Sequence, residues 1–403
     1  MMKRLSYLFV LGLLLMACKR EAPVAIDAFR LQFEMPAECR DDIVYAARTV
    51  NFRGPAQYTF QTDAQGGVDV PALIPGIYDI NTYFELSGRE YKAMLKEPST
   101  LSDDARIMLG RSLMNRRIFS AEDLKLQILA MQMSDLVISK IYYSGTKDKM
   151  DRNYTVDGYV ELFNNSDHTV YADGLYLALA ESVSPAVFPV KDNPDSIYTR
   201  QICRFPGSGT DLPIEPGKTL LIAARSARNH KDSAPTSVDL SHADFEVKLE
   251  EGSGNPDVRR LPLISNSTTI QYLNLISGGL NAVFLFATDA DVLNDWPEKY
   301  PIGKTSGERF RPVPKTVVLD GVECLKKPAQ SDPDVSTKRL QDEIDAGYIT
   351  INAVNGYNCQ SVERRVSSFE NGRYYLVDTN NTSSDFVVCN DPTPGKYDKE
   401  GLQ

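Results

Sequence analysis

Short segments in which apolar and polar residues alternate recur along the chain, and they predict a protein built from β-strands. The segment Ile26–Phe33 alternates with one slip at Phe29, and Asp157–Asn164 alternates until an Asn-Asn-Ser turn. A period of two places successive side chains on opposite faces of a sheet. Further strand-like runs, rich in apolar residues, occur at 135–143, 171–179, 214–223 and 283–286. The pattern predicts an all-β fold.

Turn residues separate several of these segments. Asp63 and the pair Gly66-Gly67 suit a tight connection with positive φ, and Pro75-Gly76 suits a type II turn. Pro216-Gly217 likewise precedes an apolar run. These positions predict strand-to-strand connections.

One segment allows two interpretations. Residues 120–123, Ser-Ala-Glu-Asp, stand before an apolar run and have the residue types of a helix capping box. However, Leu124, Leu126 and Ile128 alternate with polar residues, which favours a strand over a helix.

The first eighteen residues have the pattern of a bacterial lipoprotein signal. Lys3 and Arg4 precede an apolar run from Leu5 to Met16, and Ala17-Cys18 follows. The alternative is a transmembrane anchor, but twelve apolar residues span only about 18 Å as a helix, against a hydrocarbon core of about 30 Å. We therefore expect residues 1–17 to be removed and Cys18 to carry the lipid that holds the protein on a membrane.

The charge of the chain limits the classes of partner that it can bind. Removal of residues 1–17 takes away Lys3 and Arg4, which leaves 42 basic against 54 acidic side chains and a formal charge of −12. Such a surface repels nucleic acid, and the basic pairs at 116–117, 259–260 and 364–365 are isolated. We therefore expect no nucleic-acid partner.

Five cysteines remain besides Cys18, in a chain whose export would place it where disulfides persist. We predict a disulfide between Cys359 and Cys389, which lie in one C-terminal segment. No Cys-x-x-Cys pair occurs, which argues against a structural zinc site.

Two stretches of the chain resemble known β-sandwich families. Thr62-Asp63-x-x-Gly66 followed by Pro75-Gly76-x-Tyr78 resembles the prealbumin-like, carboxypeptidase-regulatory class. Residues 135–396 resemble the lamin-tail domain, an immunoglobulin-like sandwich, with long insertions. The matching pieces are Tyr159–Asn164, Pro216-Gly217, Asn281–Phe286, Ser361–Arg364, Asp378–Asn381, Asp385-Phe386 and Thr393–Gly395.

In its overall order the chain resembles an uncharacterised family of Bacteroidetes outer-membrane lipoproteins. The resemblance implies an outer-membrane location and a TonB-dependent transporter as a possible partner. It also implies a division of the chain. The expected parts are a signal peptide (1–17), a tether (18–23), a prealbumin-like sandwich (24–133), an enlarged lamin-tail-like sandwich (135–396) and a tail (397–403).

The insertions at 180–213 and 225–260 are polar, and we expect them to form the binding surface, because loops cluster at the ends of sandwiches. Asp195-Ser196-Ile197 and Asp232-Ser233-Ala234 resemble the O-glycosylation sequon of Bacteroidetes exported proteins. The resemblance makes Ser196 and Ser233 candidate glycosylation sites.

Candidate catalytic chemistry is sparse. The histidines His168, His230 and His242 stand in polar turn or loop contexts, and no Gly-x-Ser-x-Gly elbow accompanies them. The acidic run Asp289–Asp295 lacks the spacing of an EF-hand, and Thr288 or Asp289 suits a helix cap better.

Two further residues allow a functional or a structural interpretation. The position of Glu161 within a predicted strand favours a structural role. Trp296 could serve either as a sugar-binding platform or as a core residue.

We therefore expect no catalytic residue, cofactor or metal. The expected function is that of a non-enzymatic binding or accessory lipoprotein. The alternatives are an adhesive surface protein that assembles through β-edges and a divalent-metal-dependent hydrolase.

Overall fold

The computed structural model describes residues 25–248 and 254–397, and their regular structure is almost entirely β. The predicted all-β class is confirmed. The chain divides into two compact units: unit 1 contains the described residues up to Thr82 together with Leu113–Ile128, and unit 2 contains Tyr83–Ser112 and the described residues from Leu129 onward. Cys18 and its signal lie outside the described residues. In the part that the structure describes, no helix has both the length and the apolar character needed to cross a bilayer.

The elements up to residue 132 are divided between the two units: β1–β4 and β7 belong to unit 1, α1 and β8 to unit 2, and β5 and β6 have residues in both. In unit 1, β1 pairs antiparallel with β4 and parallel with β7, while β2 pairs antiparallel with β3 and with the first half of β5. The elements are β1 (Phe29–Glu34), β2 (Thr49–Arg53), β3 (Gln57–Gln61), β4 (Gly67–Val70), β5 (Gly76–Ser87), α1 (Gly88–Lys92), β6 (Arg106–Ile118), β7 (Leu124–Gln127) and β8 (Leu129–Gln132).

Of the two turns predicted in this region, the one at Asp63–Gly67 is present, whereas the type II turn at Pro75-Gly76 is wrong, because Gly76 lacks the positive φ and is the first residue of β5. Gly66 has a φ of +78°, and the Asp63 carboxylate accepts hydrogen bonds from the N–H groups of Gln65 and Gly67. This turn joins β3 to β4, although the two strands pair with different partners. The ambiguous run after residue 123 is strand β7, as the alternation predicted. A capping box occurs instead at α1, where Ser87 and Glu90 cap each other.

Unit 2 is built around a large sheet, and three two-stranded sheets (β10-β11, β13-β16 and β24-β25) accompany it. The strands of unit 2 after β8 are β9 (Leu136–Tyr142), β10 (Thr146–Lys147), β11 (Asn153–Tyr154), β12 (Tyr159–Asn164), β13 (Val170–Tyr171), β14 (Tyr176–Ala180), β15 (Ser196–Arg204), β16 (Pro213–Ile214), β17 (Thr219–Ala223), β18 (Phe245–Lys248), β19 (Arg259–Asn266), β20 (Asn281–Phe286), β21 (Arg311–Pro314), β22 (Val318–Cys324), β23 (Ser361–Arg364), β24 (Val366–Glu370), β25 (Arg373–Leu376) and β26 (Phe386–Cys389). The short helices are α2 (Ala290–Asn294) and α3 (Thr382–Asp385).

The large sheet has the order β22-β20-β14-β15-β19-β18-β17-β12-β9-β23-β26, with β21 pairing along the first half of β15. Apolar side chains from distant strands, such as Ile138 of β9, Leu177 of β14 and Val283 of β20, belong to one buried cluster. The Asp320 carboxylate of β22 also accepts the N–H of Ile138, at 2.6 Å. The sheet therefore curls so that strands far apart in its order enclose the same core.

For strand β12, the sequence pattern predicted the strand but not how deeply it is buried. It pairs antiparallel with β9 and β17, and all six of its side chains are buried. Alternation predicted the strand correctly. Both of its faces are covered, because the curled sheet has a core on one side and further chain on the other.

The C-terminal motif residues form a buried charge network. The Arg364 guanidinium contacts Asp320 at 3.0 Å, Asp378 at 2.8 Å and Asp385 at 3.4 Å, and all four side chains are at most 3% exposed. Burial raises the pKa of Asp320 to about 6 and that of Asp385 to about 7, although the attraction of Arg364 opposes the shift. These motifs therefore join strands β22 and β23 to the segment that carries α3.

The last motif docks on the middle of the sheet. Lys140 of β9 donates to the carbonyl of Thr393 at 2.7 Å, and the Glu161 carboxylate of β12 accepts the N–H of Gly395 and the hydroxyl of Ser139. Burial raises the pKa of Glu161 to about 7. Glu161 therefore holds the C-terminal segment in place, which supports its structural interpretation.

Candidate functional site

The first polar insertion has a regular centre. It leaves β14 at Ala180, passes through a 3-10 turn at Val190–Asp192 and enters β15 at Ser196. The sequence suggested a continuous loop over 180–213, whereas residues 196–204 pair with β14, β19 and β21. The irregular part therefore reduces to residues 181–195 and 205–212.

Two loops of unit 2 enclose a groove. The first is the 181–195 loop, and the second lies between β22 and β23 around the 3-10 turn Val335–Thr337. A cavity of about 500 Å³ lies between them, and an adjoining cavity of about 370 Å³ shares Val190, Lys191 and Asp342 with it. We call these two cavities the loop groove. It is lined by parts of 184–194 and 334–343, together with Arg111, Leu129 and Lys315.

A buried ion pair ties the two loops together. The Arg339 guanidinium lies 2.7 Å from the Glu181 carboxylate, and the two side chains are 4% and 1% exposed. The same guanidinium donates to the carbonyls of Glu181 and Val183, while the Glu181 carboxylate accepts the N–H groups of Val183 and Val187. Each partner thus satisfies main-chain groups of the first loop as well as the other's charge.

Side chains of strands β22 and β15 also contact the two loops. The Glu323 carboxylate of β22 accepts the N–H groups of Arg339 and Leu340, and its burial raises its pKa to about 7. Phe188 of the first loop stacks on Tyr198 of β15, with ring centroids 3.7 Å apart. The groove walls are therefore held before any ligand binds.

The groove presents charges of both signs beside apolar side chains. Lys338 contacts Asp342 at 3.4 Å, Arg111 contacts the same carboxylate at 3.6 Å, and Lys315 contacts Glu343 at 3.0 Å. The lining contains no histidine or cysteine. Across residues 25–248 and 254–397, no group of three or more His, Cys, Asp or Glu side chains is placed to hold a metal ion. Among the hydroxyl groups of the lining, Ser336 donates to the Asp334 carboxylate at 2.7 Å.

The candidate glycosylation sites lie at the margins of loops. Ser196 is the half-buried first residue of β15, and its carbonyl accepts from the side chain of Gln341 at 3.1 Å. Ser233 is half-buried after the 3-10 turn His230–Asp232, and its carbonyl accepts the N–H of Lys149. Glycosylation at both serines stays a prediction.

The two cysteines of the predicted disulfide are free thiols in the structure. Cys359 donates to the carbonyl of Thr236 at 2.7 Å, and Cys389 donates to that of Asp391 at 3.3 Å. Cys389 is in register with Ser361, two residues beyond Cys359. The cysteines lie on neighbouring stretches of chain, and the pairing stays a prediction.

The histidines are not brought together as a site. His230 is fully buried, with Nδ1 2.7 Å from the Tyr154 hydroxyl and Nε2 2.7 Å from the Ser226 carbonyl. Burial lowers its pKa, so it is held neutral as part of the loop packing. His168 contacts Asp135 and Asp167 at the surface, and His242 lies in an exposed turn.

Two other candidates have structural positions. Asp289 occupies the N-cap position of α2, where the cap interpretation placed it, but its side chain makes no capping hydrogen bond. Trp296 is half-buried and packs against Phe286 of the core cluster, with ring centroids 6.4 Å apart.

The residues that shape the groove gave little signal in the sequence. Glu181 directly follows the apolar run of β14, but its partner Arg339 lies 158 residues later. No local pattern connects the two, because their contact depends on how β14 and the segment after β22 are arranged in the sheet.

Part of the chain is similar to a protein family whose function is unknown. Residues 215–393 match the model of a protein family of unknown function (DUF4876). This match includes the second loop of the groove but not the first. No curated protein matches the chain.

The fold is similar to that of a DUF4876 family protein from Bacteroides thetaiotaomicron VPI-5482 known from a crystal structure. The TM-score is 0.58 at 20% sequence identity, over 93% of this chain and 99% of that chain. At this identity the likeness concerns the fold alone. Together, the two findings support the predicted relationship to an uncharacterised Bacteroidetes family.

Proposed function

We propose that the protein is a membrane-anchored, non-enzymatic binding or accessory lipoprotein of the cell envelope. Its lipid anchor is an acylated Cys18 at the outer membrane, with the β-units exposed to the aqueous side. The lipoprotein signal supports the lipid anchor, and the resemblance to Bacteroidetes outer-membrane lipoproteins supports the outer-membrane location. Several acyl chains on one cysteine bind far more firmly than one chain, which binds only marginally.

The loop groove is the observation that carries the binding role. The larger of its two cavities has a volume of about 500 Å³, which falls within the range of known ligand sites, about 300–1,000 Å³. A buried ion pair between two surface loops costs desolvation energy, and its benefit here is a fixed wall geometry. Fixed walls reduce the entropy lost on binding.

The proposed ligand is a small solute with both apolar and charged groups, since Val190 and Val335 line the larger cavity beside Lys191 and Asp342. A TonB-dependent transporter is the proposed partner that takes up this solute. This partner is supported by the resemblance of the whole chain to outer-membrane lipoproteins.

A cavity-filling variant tests the groove. Val335 is 48% exposed and lines the larger cavity, whereas Val183 is 37% exposed on the first loop and does not line it. A thermal-shift panel of oligosaccharides, short peptides and nucleosides on the wild-type chain identifies a binder. We expect Val335→Trp to weaken that binder at least tenfold and Val183→Trp to leave it within twofold. Equal effects of the two variants, or no binder in the panel, would count against the groove as the ligand site.

The anchor is tested separately. Cys18→Ala should shift the protein from the membrane fraction to uncleaved precursor or soluble material, and mass spectrometry of the wild-type N-terminal peptide should show acylated Cys18. Quantitative co-purification of a TonB-dependent transporter with wild type, but not with Val335→Trp, would support the uptake role. A Cys18→Ala variant that has lost residues 1–17 and still stays in the membrane contradicts the anchor.

A further inference from the structure

A further cavity of unit 2 lies along the edge of strand β8 rather than between two loops. It has a volume of about 500 Å³. One wall is β8 with Met133 and Ser134, and the other includes residues 315–320, Glu343 and Ile344. We call it the edge groove. The Lys315–Glu343 ion pair borders both this cavity and the smaller part of the loop groove.

Strand β8 uses only one of its hydrogen-bonding edges. It pairs antiparallel with β6, with Gln132 opposite Ile107 and Ala130 opposite Leu109. The N–H of Met133 donates to the carbonyl of Arg106 at 2.9 Å. Since hydrogen-bonded and non-hydrogen-bonded pairs alternate in such a ladder, the main-chain groups of Ala130 and Gln132 point away from β6.

The outward groups of β8 have no partner in the described part of the chain. No other strand there pairs with β8, and no hydrogen bond to the main chain of Ala130 or Gln132 occurs there. Both residues line the edge groove. Two donors and two acceptors therefore border the cavity at a spacing of two strand residues, about 6.8 Å.

The side chains around this edge suit an added strand. Met131 and Met133 line the cavity and form a buried cluster with Met108. Methionine side chains adapt to different apolar partners. The opposite wall supplies Val317 and Ile344 together with the Lys315–Glu343 pair.

We propose that the edge groove binds an extended peptide segment of a partner protein, which adds to β8 as a further strand. The partner backbone would donate to and accept from Ala130 and Gln132, and its apolar side chains would contact Met131 and Met133. An extended polypeptide has donors and acceptors at the same two-residue repeat, which makes it the ligand class that fits this edge. This site shares the Lys315–Glu343 pair with the smaller part of the loop groove, but its main-chain donors and acceptors do not belong to the proposed solute site.

The first test removes one main-chain donor. A phage-displayed library of random twelve-residue peptides is panned on the wild-type chain, and binding of an enriched synthetic peptide is measured by fluorescence polarisation. Gln132→Pro deletes an N–H that β6 does not use, and proline is tolerated at such an edge. Gln132→Ala is the matched control, because it removes the side chain and keeps the N–H. We expect at least a tenfold loss for Gln132→Pro and less than a twofold change for Gln132→Ala.

The second test uses the wild-type chain only, so it decides even if the proline variant does not fold. Each residue of the enriched peptide is N-methylated in turn. Strand addition predicts that methylation abolishes binding at alternate residues and has little effect between them. The proposal is overturned if no peptide is enriched, if both Gln132 variants lose binding equally, or if the N-methyl scan shows no alternation. Dimerisation in light scattering that only Gln132→Pro abolishes would assign the edge to a second copy of this chain instead.

Discussion

Two of the buried arginines of unit 2, Arg364 and Arg339, serve different purposes. Arg364 faces the carboxylates Asp320, Asp378 and Asp385 inside the sheet. Arg339 faces one carboxylate, Glu181, and main-chain carbonyls of two surface loops. The first arginine joins strands of the core, and the second shapes a groove.

The difference lies in the charge balance. Around Arg364 the carboxylates outnumber the cation, so burial leaves an excess of negative charge and raises the pKa of Asp320 and Asp385. Arg339 pairs with Glu181 one to one, its remaining side-chain donors satisfy carbonyls, and the buried Glu323 carboxylate accepts its main-chain N–H. We therefore expect the Arg364 network to govern global and pH-dependent stability, and the Arg339 tie to govern local order.

The largest effect is expected for Arg364→Ala. It leaves three buried carboxylates without their cation, and breaking a buried pair in this way costs about 3–5 kcal/mol. Chemical denaturation measures the free energy of unfolding. Arg365→Ala, at the half-buried neighbouring position, is the control and should change it by less than about 0.5 kcal/mol. Similar losses for both variants would contradict the central role of Arg364.

A smaller global effect is expected for Arg339→Ala. Loss of the charged hydrogen bonds should cost about 1.5–3 kcal/mol, and less if the loops open without the sheet. Hydrogen exchange should show lost amide protection at 183–187 and 337–341, with strands β9 and β12 unchanged. Uniform loss of protection over unit 2 would place Arg339 in the same cooperative network as Arg364.

The smallest effect expected from any single group is the pH dependence. Asp320 and Asp385 have folded pKa values of about 6 and 7, above the unfolded value of about 3.9. The folded chain therefore binds protons more readily, so stability rises as pH falls through 7 and 6 and is lost as pH rises. Between pH 8 and pH 6 we expect these two groups alone to contribute a gain of about 1–2 kcal/mol.

Denaturation at several pH values measures this slope. Glu161 and Glu323 add to it in the same direction, because burial raises the pKa of each to about 7. Asp385→Asn should reduce the slope without removing it. A slope of opposite sign in the wild-type protein would show that the buried carboxylates stay ionised.

Local patterns predicted the strands well. Apolar runs located β9, β12, β14 and β20, and turn residues located the Asp63–Gly66 connection. They missed the strand in the middle of the first polar insertion, β15, because its residues at 196–204 mix charged and apolar types. That strand is held by pairing with β14, β19 and β21, which local composition does not encode.

The C-terminal motifs can be recognised in the sequence, but the contacts between their side chains cannot. Arg364 and Asp378 belong to two separate motifs, whereas Asp320 belongs to none. Their convergence needs the curl of the sheet, which brings β22 beside β9 and β23.

The sequence by itself determined the all-β class, most strands and turns, and the expectation of a lipid-bearing Cys18, since these depend on side-chain periodicity and short motifs. Only the tertiary structure decided which residues form the loop groove, the edge groove and the buried charge network. The reason is physical: each of these joins residues far apart in sequence, and strand order and sheet curvature set their contacts, which no local pattern specifies.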